Sequence, residues 1–314
     1  MRGKKILTAV LAVAAVIAIV VGGLALAGFF KLTPMRLAKR SLKELAKVQS
    51  FDSDIKMEYE GTIDLGFLGK DVEFILNSDC DFQGVTKTGT GYINGTLGTK
   101  LPILGELSIP VEGYQQYMDD GMLTYTRFNR SDWLRSKVVP AQTSAEDVQF
   151  DLDYKIVLGI MQKIASGEIR TELAQETETL RGQEVYRMDI SIAGDLLNQI
   201  LLAVSKAQGE NSAVPDDFDI SDGDAAIVLY IYKESKLPAK IVIDCTALGR
   251  AVIRNLLKNN SAGESISTGT SRFVITADIT EYDTIDEITI PEEVVSGAVE
   301  PEEFNLLSIF TGKQ

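Results

Sequence analysis

The 314-residue chain contains no histidine, and this absence limits the chemistry that its other side chains can perform. A serine or cysteine nucleophile activated by histidine is excluded, and so is a metal site with histidine ligands. Paired carboxylates, as in a glycosidase, remain open, but none of the 45 acidic residues forms a pair that its spacing singles out. We therefore predict that the protein is not an enzyme, with no catalytic residue and no cofactor.

The densest group of candidate metal ligands is a cluster of five aspartates. These are Asp216, Asp217, Asp219, Asp222 and Asp224. Gly223 is out of phase with the glycine of an EF-hand loop, so the spacing does not match that calcium motif. A solvated acidic surface loop over 207–223 is the interpretation that we favour, with calcium binding as the alternative. We predict no metal site.

The two cysteines are the remaining reactive side chains. Cys80 and Cys245 both fall on the apolar phase of predicted strands. A disulfide between them is permitted outside the cell, provided that their strands are neighbours. Two buried free thiols are the alternative, and it is the one that we favour.

An apolar N-terminal segment predicts the cellular location of the rest of the protein. Residues 6–30 form a run of 25 residues without a charge, and three basic residues precede it. As a helix this run is about 37 Å long, enough to cross the hydrocarbon core of a bilayer. We predict a short cytoplasmic tail over residues 1–5 and a transmembrane anchor, or uncleaved signal, over residues 6–30. The alternative is a secretory signal that is cleaved after Ala27.

Charge is distributed unevenly along the chain. Residues 1–47 contain nine lysines and arginines and one acidic residue, so the remainder must have a charge of −22 to give the net charge of −14. An acidic body is repelled by nucleic acid. The predicted partners are therefore a membrane, through residues 6–30, and a hydrophobic small molecule or lipid, with no nucleic acid and no identified protein partner. We expect a single-pass protein of the cytoplasmic membrane with its C-terminal domain outside the cytoplasm.

Hydrophobic periodicity predicts an α+β domain over residues 31–297, followed by a tail over 298–314. Helices are predicted at 34–49, 151–165, 195–206 and 248–257. Strands are predicted at 51–60, 72–82, 87–96, 114–118, 122–128, around Trp133, and at 168–178, 183–192, 225–234, 239–246 and 271–282. Sequential strands joined by tight turns imply an antiparallel sheet with the few helices covering one face.

Strand 225–234 is apolar on both faces, which sets it apart from the strands with one polar face. Ile227 and Leu229 lie on one side, and Val228 and Tyr230 lie on the other. A sheet that is buried on both sides must curve around helices, a ligand, or both.

The succession of elements resembles the lipoprotein-carrier superfamily, which includes LolA-like carriers and LppX/LprG-type lipoproteins. The matching segments are SFDSDIKMEYEG (50–61), YMDDGMLTY (117–125) with Trp133 behind it, KLPAKIVID (236–244) and YDTIDEITIPEEV (282–294). The resemblance covers residues 35–296 and implies a strongly curved antiparallel half-barrel with helices on its concave face and an apolar cavity. Members of this family carry or sense lipids, acyl chains or lipoproteins and have no catalytic residues. This chain lacks the lipidated cysteine, which argues against shuttling because a tethered carrier cannot diffuse far.

These features together predict a membrane-tethered extracytoplasmic protein that binds a hydrophobic ligand without catalysis. The alternative is a structural or interaction protein of the bacterial cell envelope that uses the same fold without a ligand. The residues expected to line the cavity are Met57, Leu76, Tyr125, Met188, Ile200 and Tyr230. For each residue taken singly, a place in the ordinary core is the alternative.

Overall fold

The computed structural model describes residues 33–64, 71–101, 105–118, 121–138, 169–208, 218–258 and 267–300. The predicted anchor at 6–30, the predicted helix at 151–165 and the tail after residue 300 lie outside these ranges. Within them, no helix is both long and apolar enough to span a bilayer.

Strands and helices follow the predicted order through the described chain. The strands are β1 (Ser50–Asp64), β2 (Asp71–Val85), β3 (Thr90–Leu101), β4 (Gly105–Met118), β5 (Gly121–Phe128), β6 (Leu134–Val138), β7 (Ile169–Leu173), β8 (Glu178–Leu180), β9 (Gln183–Ile192), β10 (Ala225–Tyr232), β11 (Pro238–Asp244) and β12 (Ser267–Tyr282). The helices are α1 (Pro34–Leu45), α2 (Gly194–Gln208), α3 (Thr246–Lys258) and α4 (Glu292–Gly297). The predicted strands and helices within the described ranges are confirmed, with shifted ends. Trp133 precedes β6 instead of lying within it.

The twelve strands belong to one sheet with the order β6-β5-β4-β3-β2-β1-β12-β11-β10-β9-β7, and β8 pairs with β9 beside this path. Each pairing from β2 through β6 is antiparallel, and so are the pairings of β9 with β7 and β10 and of β10 with β11. These pairings confirm the predicted sheet, which is mostly antiparallel and is accompanied by few helices.

The chain is organised as two compact units. The first contains Met1–Lys47, Tyr59–Glu73 and Gln149–Ile275, and the second contains Val48–Glu58, Phe74–Val148 and Thr276–Gln314. Strands β1, β2 and β12 contribute residues to both units. The single domain over residues 31–297 stays a prediction.

Helix α1 begins at the proline that the sequence predicts for its first turn. The Thr33 side chain caps the helix by accepting a hydrogen bond from the Arg36 backbone N–H at 3.3 Å. Pro34 at the first helical position lacks only an amide that would have had no partner within the helix. The helix ends at Leu45, and its Leu37 side chain is buried in the core of the first unit.

The core of the first unit is built from α1, α2 and α3 and from the alternating side chains of the strands β7, β9 and β10. Ile227 and Leu229 of β10 are buried in this core, opposite Ile190 and Met188 of β9 in the strand register. A Leu or Ile side chain that is fully buried stabilises the fold by about 1.5–3 kcal/mol relative to an exposed one. The alternation along β10 therefore fixes which face of this strand carries the helices.

A two-residue turn fixes the register between β8 and β9. Leu180 pairs with Gln183, and the intervening Arg181 and Gly182 have φ angles of 50° and 77°. Positive φ at both central residues matches the right-handed twist of the flanking strands, which is why such turns favour glycine.

Candidate functional site

One face of the sheet in the second unit is lined by apolar side chains. Residues that pair across antiparallel strands point to the same side, so the register defines this face. Cys80, Gly95, Val111 and Phe128 form one row across β2, β3, β4 and β5. We name this surface the apolar face. Its large apolar side chains are Phe51, Ile55, Met57, Leu76, Phe82, Ile93, Leu97, Leu107, Ile109, Val111 and Phe128.

Strand β1 joins the apolar face through Phe51. The rings of Phe51 and Phe82 have centroids 5.7 Å apart. Phe51 also packs over Gly84, where a Cβ atom would lie 2.7 Å from the ring. Because side chains alternate along a strand, Ile55 and Met57 lie on the same side as Phe51. Glycine at position 84 is therefore needed for this aromatic contact.

Exposure rises along the apolar face toward one end of the strands. Cys80 and Val111 are buried, with 5% and 8% of their surface exposed. In the next row Leu97 pairs with Ile109, and both are half-buried. In the row after that, Leu76 and Leu107 flank Thr99, and each leucine has 39% of its surface exposed. The face is thus partly accessible at this end.

The side chains of the apolar face are absent from the hydrophobic clusters that the described residues form. Single exposed apolar residues are common on soluble proteins, but contiguous apolar patches are uncommon and mark interaction surfaces. The rows of leucine, isoleucine and phenylalanine form a contiguous apolar surface that is exposed at Leu76 and Leu107 and half-buried or buried elsewhere. This arrangement is typical of a surface that binds another apolar group.

The opposite face of the same strands is packed by aromatic side chains. The ring centroids of Tyr92 and Tyr114 are 4.9 Å apart, and those of Tyr114 and Trp133 are 5.7 Å apart. Tyr125 is 3% exposed and packs with Trp133 and with Val294 of α4. This face is therefore part of the core of the second unit.

A charged pair completes this aromatic packing. Arg127 forms an ion pair with Glu112, and its guanidinium carbon lies 4.6 Å from the Trp133 ring centroid. Glu112 also accepts a hydrogen bond from the Tyr92 hydroxyl at 3.3 Å. Burial, followed by the charge of Glu112, raises the pKa of Tyr92 to about 12. The phenol is therefore neutral at physiological pH and acts as a hydrogen-bond donor.

Carboxylates occupy the β1 and β2 positions opposite the apolar face. Lys56 forms an ion pair with Asp79 at 3.2 Å. Burial raises the pKa of Asp54, and the neighbouring charges of Asp81, Asp52 and Asp278 raise it further. These strands therefore have one polar and one apolar side, as their alternating sequence predicts.

The structure distributes the six predicted cavity residues among different environments. In the second unit, Met57 and Leu76 lie on the apolar face, whereas Tyr125 belongs to the aromatic core on the other side. In the first unit, Met188 is buried in the core, and Tyr230 packs on the other face of β10. Ile200 lies within α2. Their role as a ligand site stays a prediction.

Several residues of the apolar face were not predicted. Leu97 belongs to a strand whose threonines and glycines interrupt the apolar alternation. Leu107 and Ile109 precede the predicted strand 114–118, whereas β4 already begins at Gly105. The signal was nevertheless present, because Leu107, Ile109 and Val111 alternate with polar or small residues.

The disulfide considered for Cys80 and Cys245 is not formed, and both thiols are free and buried. The Cys80 thiol lies 4.0 Å from the Thr96 carbonyl oxygen. Cys245 packs in the core of the first unit, where burial raises its pKa to about 12. Each cysteine thus serves as a small apolar side chain within its own unit, and the alternative of two buried thiols is correct.

The acidic segment after α2 uses its described carboxylates in contacts within the protein. Asp222 forms an ion pair with Arg254, and Asp219 accepts a hydrogen bond from the Ser221 backbone N–H at 2.9 Å. Among the described residues, no group of three or more acidic or cysteine side chains is arranged to hold a metal ion.

A separate groove of about 1110 Å³ lies in the first unit. Its walls include charged residues such as Arg170, Asp195 and Arg272, so it is not the apolar cavity that the sequence predicts. None of the six predicted cavity residues lines it.

Comparison with known proteins finds structural neighbours at low similarity. The structure is similar to the crystal structure of the Mycobacterium tuberculosis lipoprotein LppX, with a TM-score of 0.37 and 12% identity, covering 81% of this chain and 97% of that one. It is also similar to a beta-barrel-like protein of the domain of unknown function DUF1849 from Brucella abortus, with a TM-score of 0.22 and 8% identity, covering 76% of this chain and all of that one. The predicted resemblance to LppX is confirmed as a structural similarity, but both scores are too low to bear on function. No protein-family model and no curated protein matches the chain in sequence.

Proposed function

We propose that this protein is a membrane-tethered extracytoplasmic binding protein for a hydrophobic ligand, a lipid or an acyl chain, and that it has no catalytic role. The ligand binds on the apolar face of the second unit. The observation that supports this most directly is the partial exposure of Leu76 and Leu107 at the end of in-register apolar rows.

The chemistry of the apolar face favours an unbranched hydrocarbon chain. Its exposed end offers leucine side chains around Thr99 and no charged group in the same row. Each buried methylene contributes about 0.8 kcal/mol, so a chain that buries ten methylenes gains about 8 kcal/mol before the cost of association. A polar solute would lose its hydration on this surface without replacing its hydrogen bonds.

The N-terminal sequence supports a location next to a source of such ligands. Residues 6–30 are long and apolar enough for a membrane anchor, and the acidic body is suited to an exported soluble domain. A curved half-barrel with helices on its concave face, with the apolar face inside it, belongs to the same proposal.

A photo-crosslinking experiment tests the site. The full chain is reconstituted in nanodiscs and exposed to a fatty acid that carries a diazirine at its chain end, and the labelled peptides are mapped by mass spectrometry. We expect labels on the peptides that contain Leu76, Leu97 and Leu107. Unlabelled palmitate should compete with the label.

The strand itself provides the matched control. Ile75 lies on the opposite side of β2 from Leu76, pairs with Lys100 and has 36% of its surface exposed. Leu76→Gln should reduce labelling, whereas Ile75→Gln should leave it unchanged. Labelling spread evenly over exposed peptides, or equal loss in both variants, would reject the ligand and favour a structural role in the envelope.

A further inference from the structure

Helix α1 has a basic side that the first unit leaves exposed. Arg36, Arg40 and Lys43 follow one another at spacings of four and three residues, which places them on one side of the helix. Arg40 and Lys43 are exposed. Leu37 and Ala38 are buried in the core of the first unit, so the apolar side of α1 is already covered. The helix therefore offers positive charge, and not an apolar face, to a partner.

The turn between β10 and β11 brings another cation close to Arg40. The Lys236 Nζ atom lies 5.0 Å from the centroid of the Tyr186 ring, which packs against the same core as α1. Burial lowers the pKa of Lys236, and the charges of Arg40 and Lys233 lower it further. Arg40 is therefore close enough to Lys236 for the two like charges to repel each other. We name Arg40, Lys43 and Lys236 the basic surface.

Carboxylates near the basic surface neutralise it only in part. Glu184 forms an ion pair with Lys233 at 3.1 Å, and Glu234 is exposed in the same turn as this lysine. Within the described part of the chain, neither Arg40 nor Lys43 forms an ion pair. An anionic partner would therefore relieve the repulsion within the basic surface.

The position of α1 in the sequence favours a membrane as that partner. Residues 31–33 separate the predicted anchor at 6–30 from the first residue of α1. Even fully extended, this connection spans at most about 14 Å, which is comparable with the Debye length of about 10 Å at about 0.1 M salt. Residues 33–47 contain five basic residues and one acidic residue, whereas the chain after them has a charge of −22. Anionic headgroups would attract α1 and repel the rest of the molecule.

We propose that the basic surface binds the anionic headgroups of the membrane that contains the anchor, and that it thereby holds the first unit against this membrane. The proposal rests on the proposed tether through residues 6–30. Binding is electrostatic, because the apolar side of α1 is buried in the protein and does not enter the bilayer. Each basic residue near an anionic surface shifts the ratio of bound to released first unit by about fivefold.

Lysine acetylation of the full chain in nanodiscs tests the proposal. The chain is treated with acetic anhydride in phosphatidylcholine discs and in discs that also contain phosphatidylglycerol, and mass spectrometry measures the modified lysines. Labelling of Lys43 and Lys236 should fall by about fivefold or more in the anionic discs at about 0.1 M salt. It should recover at about 1 M salt, where the Debye length is only about 3 Å. Lys87 and Lys100, exposed lysines of the second unit, should be labelled equally in both kinds of disc.

A pair of charge-matched variants tests whether the basic surface is responsible. Arg40→Gln keeps a residue that favours helix, and it should reduce the difference in Lys236 labelling between the two kinds of disc by about fivefold. Arg170→Gln is the control and should leave this difference unchanged. Arg170 is an exposed arginine of the same unit, and it pairs with Ser191 at the end of β9 that is remote from the β10–β11 turn.

Retention of the chain in phosphatidylcholine discs tests the tether separately. A chain that leaves these discs but binds anionic discs with Lys43 and Lys236 protected would disprove the tether and support the basic surface. Equal labelling of these lysines in the two kinds of disc, or equal effects of Arg40→Gln and Arg170→Gln, would overturn the proposal. Acyl labelling of the apolar face should be unchanged in both variants, so failure of the ligand site is distinguishable from failure of the basic surface.

Discussion

Replacing Leu76 and Leu107 together by alanine should weaken the binding of an acyl ligand without unfolding the protein. Each leucine keeps 39% of its surface exposed, and complete burial of a leucine side chain is worth about 1.5–3 kcal/mol. A ligand that covers the remaining surface therefore gains about 0.6–1.2 kcal/mol at each position and about 1.2–2.3 kcal/mol at both. The double variant should lose about 7–50-fold in affinity.

A fluorescent fatty acid titrated against the full chain in nanodiscs measures this loss, with empty nanodiscs subtracted. Ile75→Ala is the control, because Ile75 has a similar exposure but lies on the opposite side of β2. Far-UV circular dichroism and thermal unfolding check that all variants fold. Unchanged affinity in the double variant, or an equal loss in Ile75→Ala, would refute the assignment of the ligand to the apolar face.

Two further predictions concern ionisable groups whose pKa is shifted. Burial raises the pKa of Asp54, and the charges of Asp81, Asp52 and Asp278 raise it further. Asp54 therefore stabilises the folded protein fully at a pH below the ordinary pKa of aspartate, and this stabilisation is lost as the pH rises through the raised pKa of the folded state. Asp54→Asn should therefore raise the melting temperature at pH 7 but not near pH 3, and a lower melting temperature at pH 7 would contradict this. Burial raises the pKa of Cys245 to about 12. Iodoacetamide at about pH 8 should therefore label this thiol only after denaturation, which mass spectrometry of the peptides would measure. Rapid labelling of the native protein would disprove its burial.

Local pattern was enough to predict most strands, because each strand with one polar side alternates visibly. In β1, Asp54 and Lys56 alternate with Ile55 and Met57, and the structure places them in a strand. Asp119-Asp120-Gly121 likewise predicted the boundary between β4 and β5. These features depend only on neighbouring residues, so the sequence alone contains them.

Which apolar side is packed and which is exposed depends on contacts between distant segments. Tyr125 and Leu76 have the same apolar character, but Tyr125 is covered by Trp133 and by Val294, which lies 169 positions later in the chain. Leu76 lies in a row that ends at the partly exposed Leu107. The pairing of β1 with β12 is equally remote in sequence. Periodicity identifies the two faces of a strand but not which segments cover each face. For this reason the predicted cavity residues include residues from both faces.

The contrast between the two sides of the second unit is the strongest physical reason to expect a ligand. On one side, Trp133 and Val294 bury the aromatic residues in a cluster. On the other side, apolar residues persist through several paired rows up to the exposed Leu76 and Leu107. Polar replacements at these two exposed positions would cost little stability and would improve solubility. Leucine at these two positions therefore contributes little to folding, and the alanine series tests whether it contributes to binding.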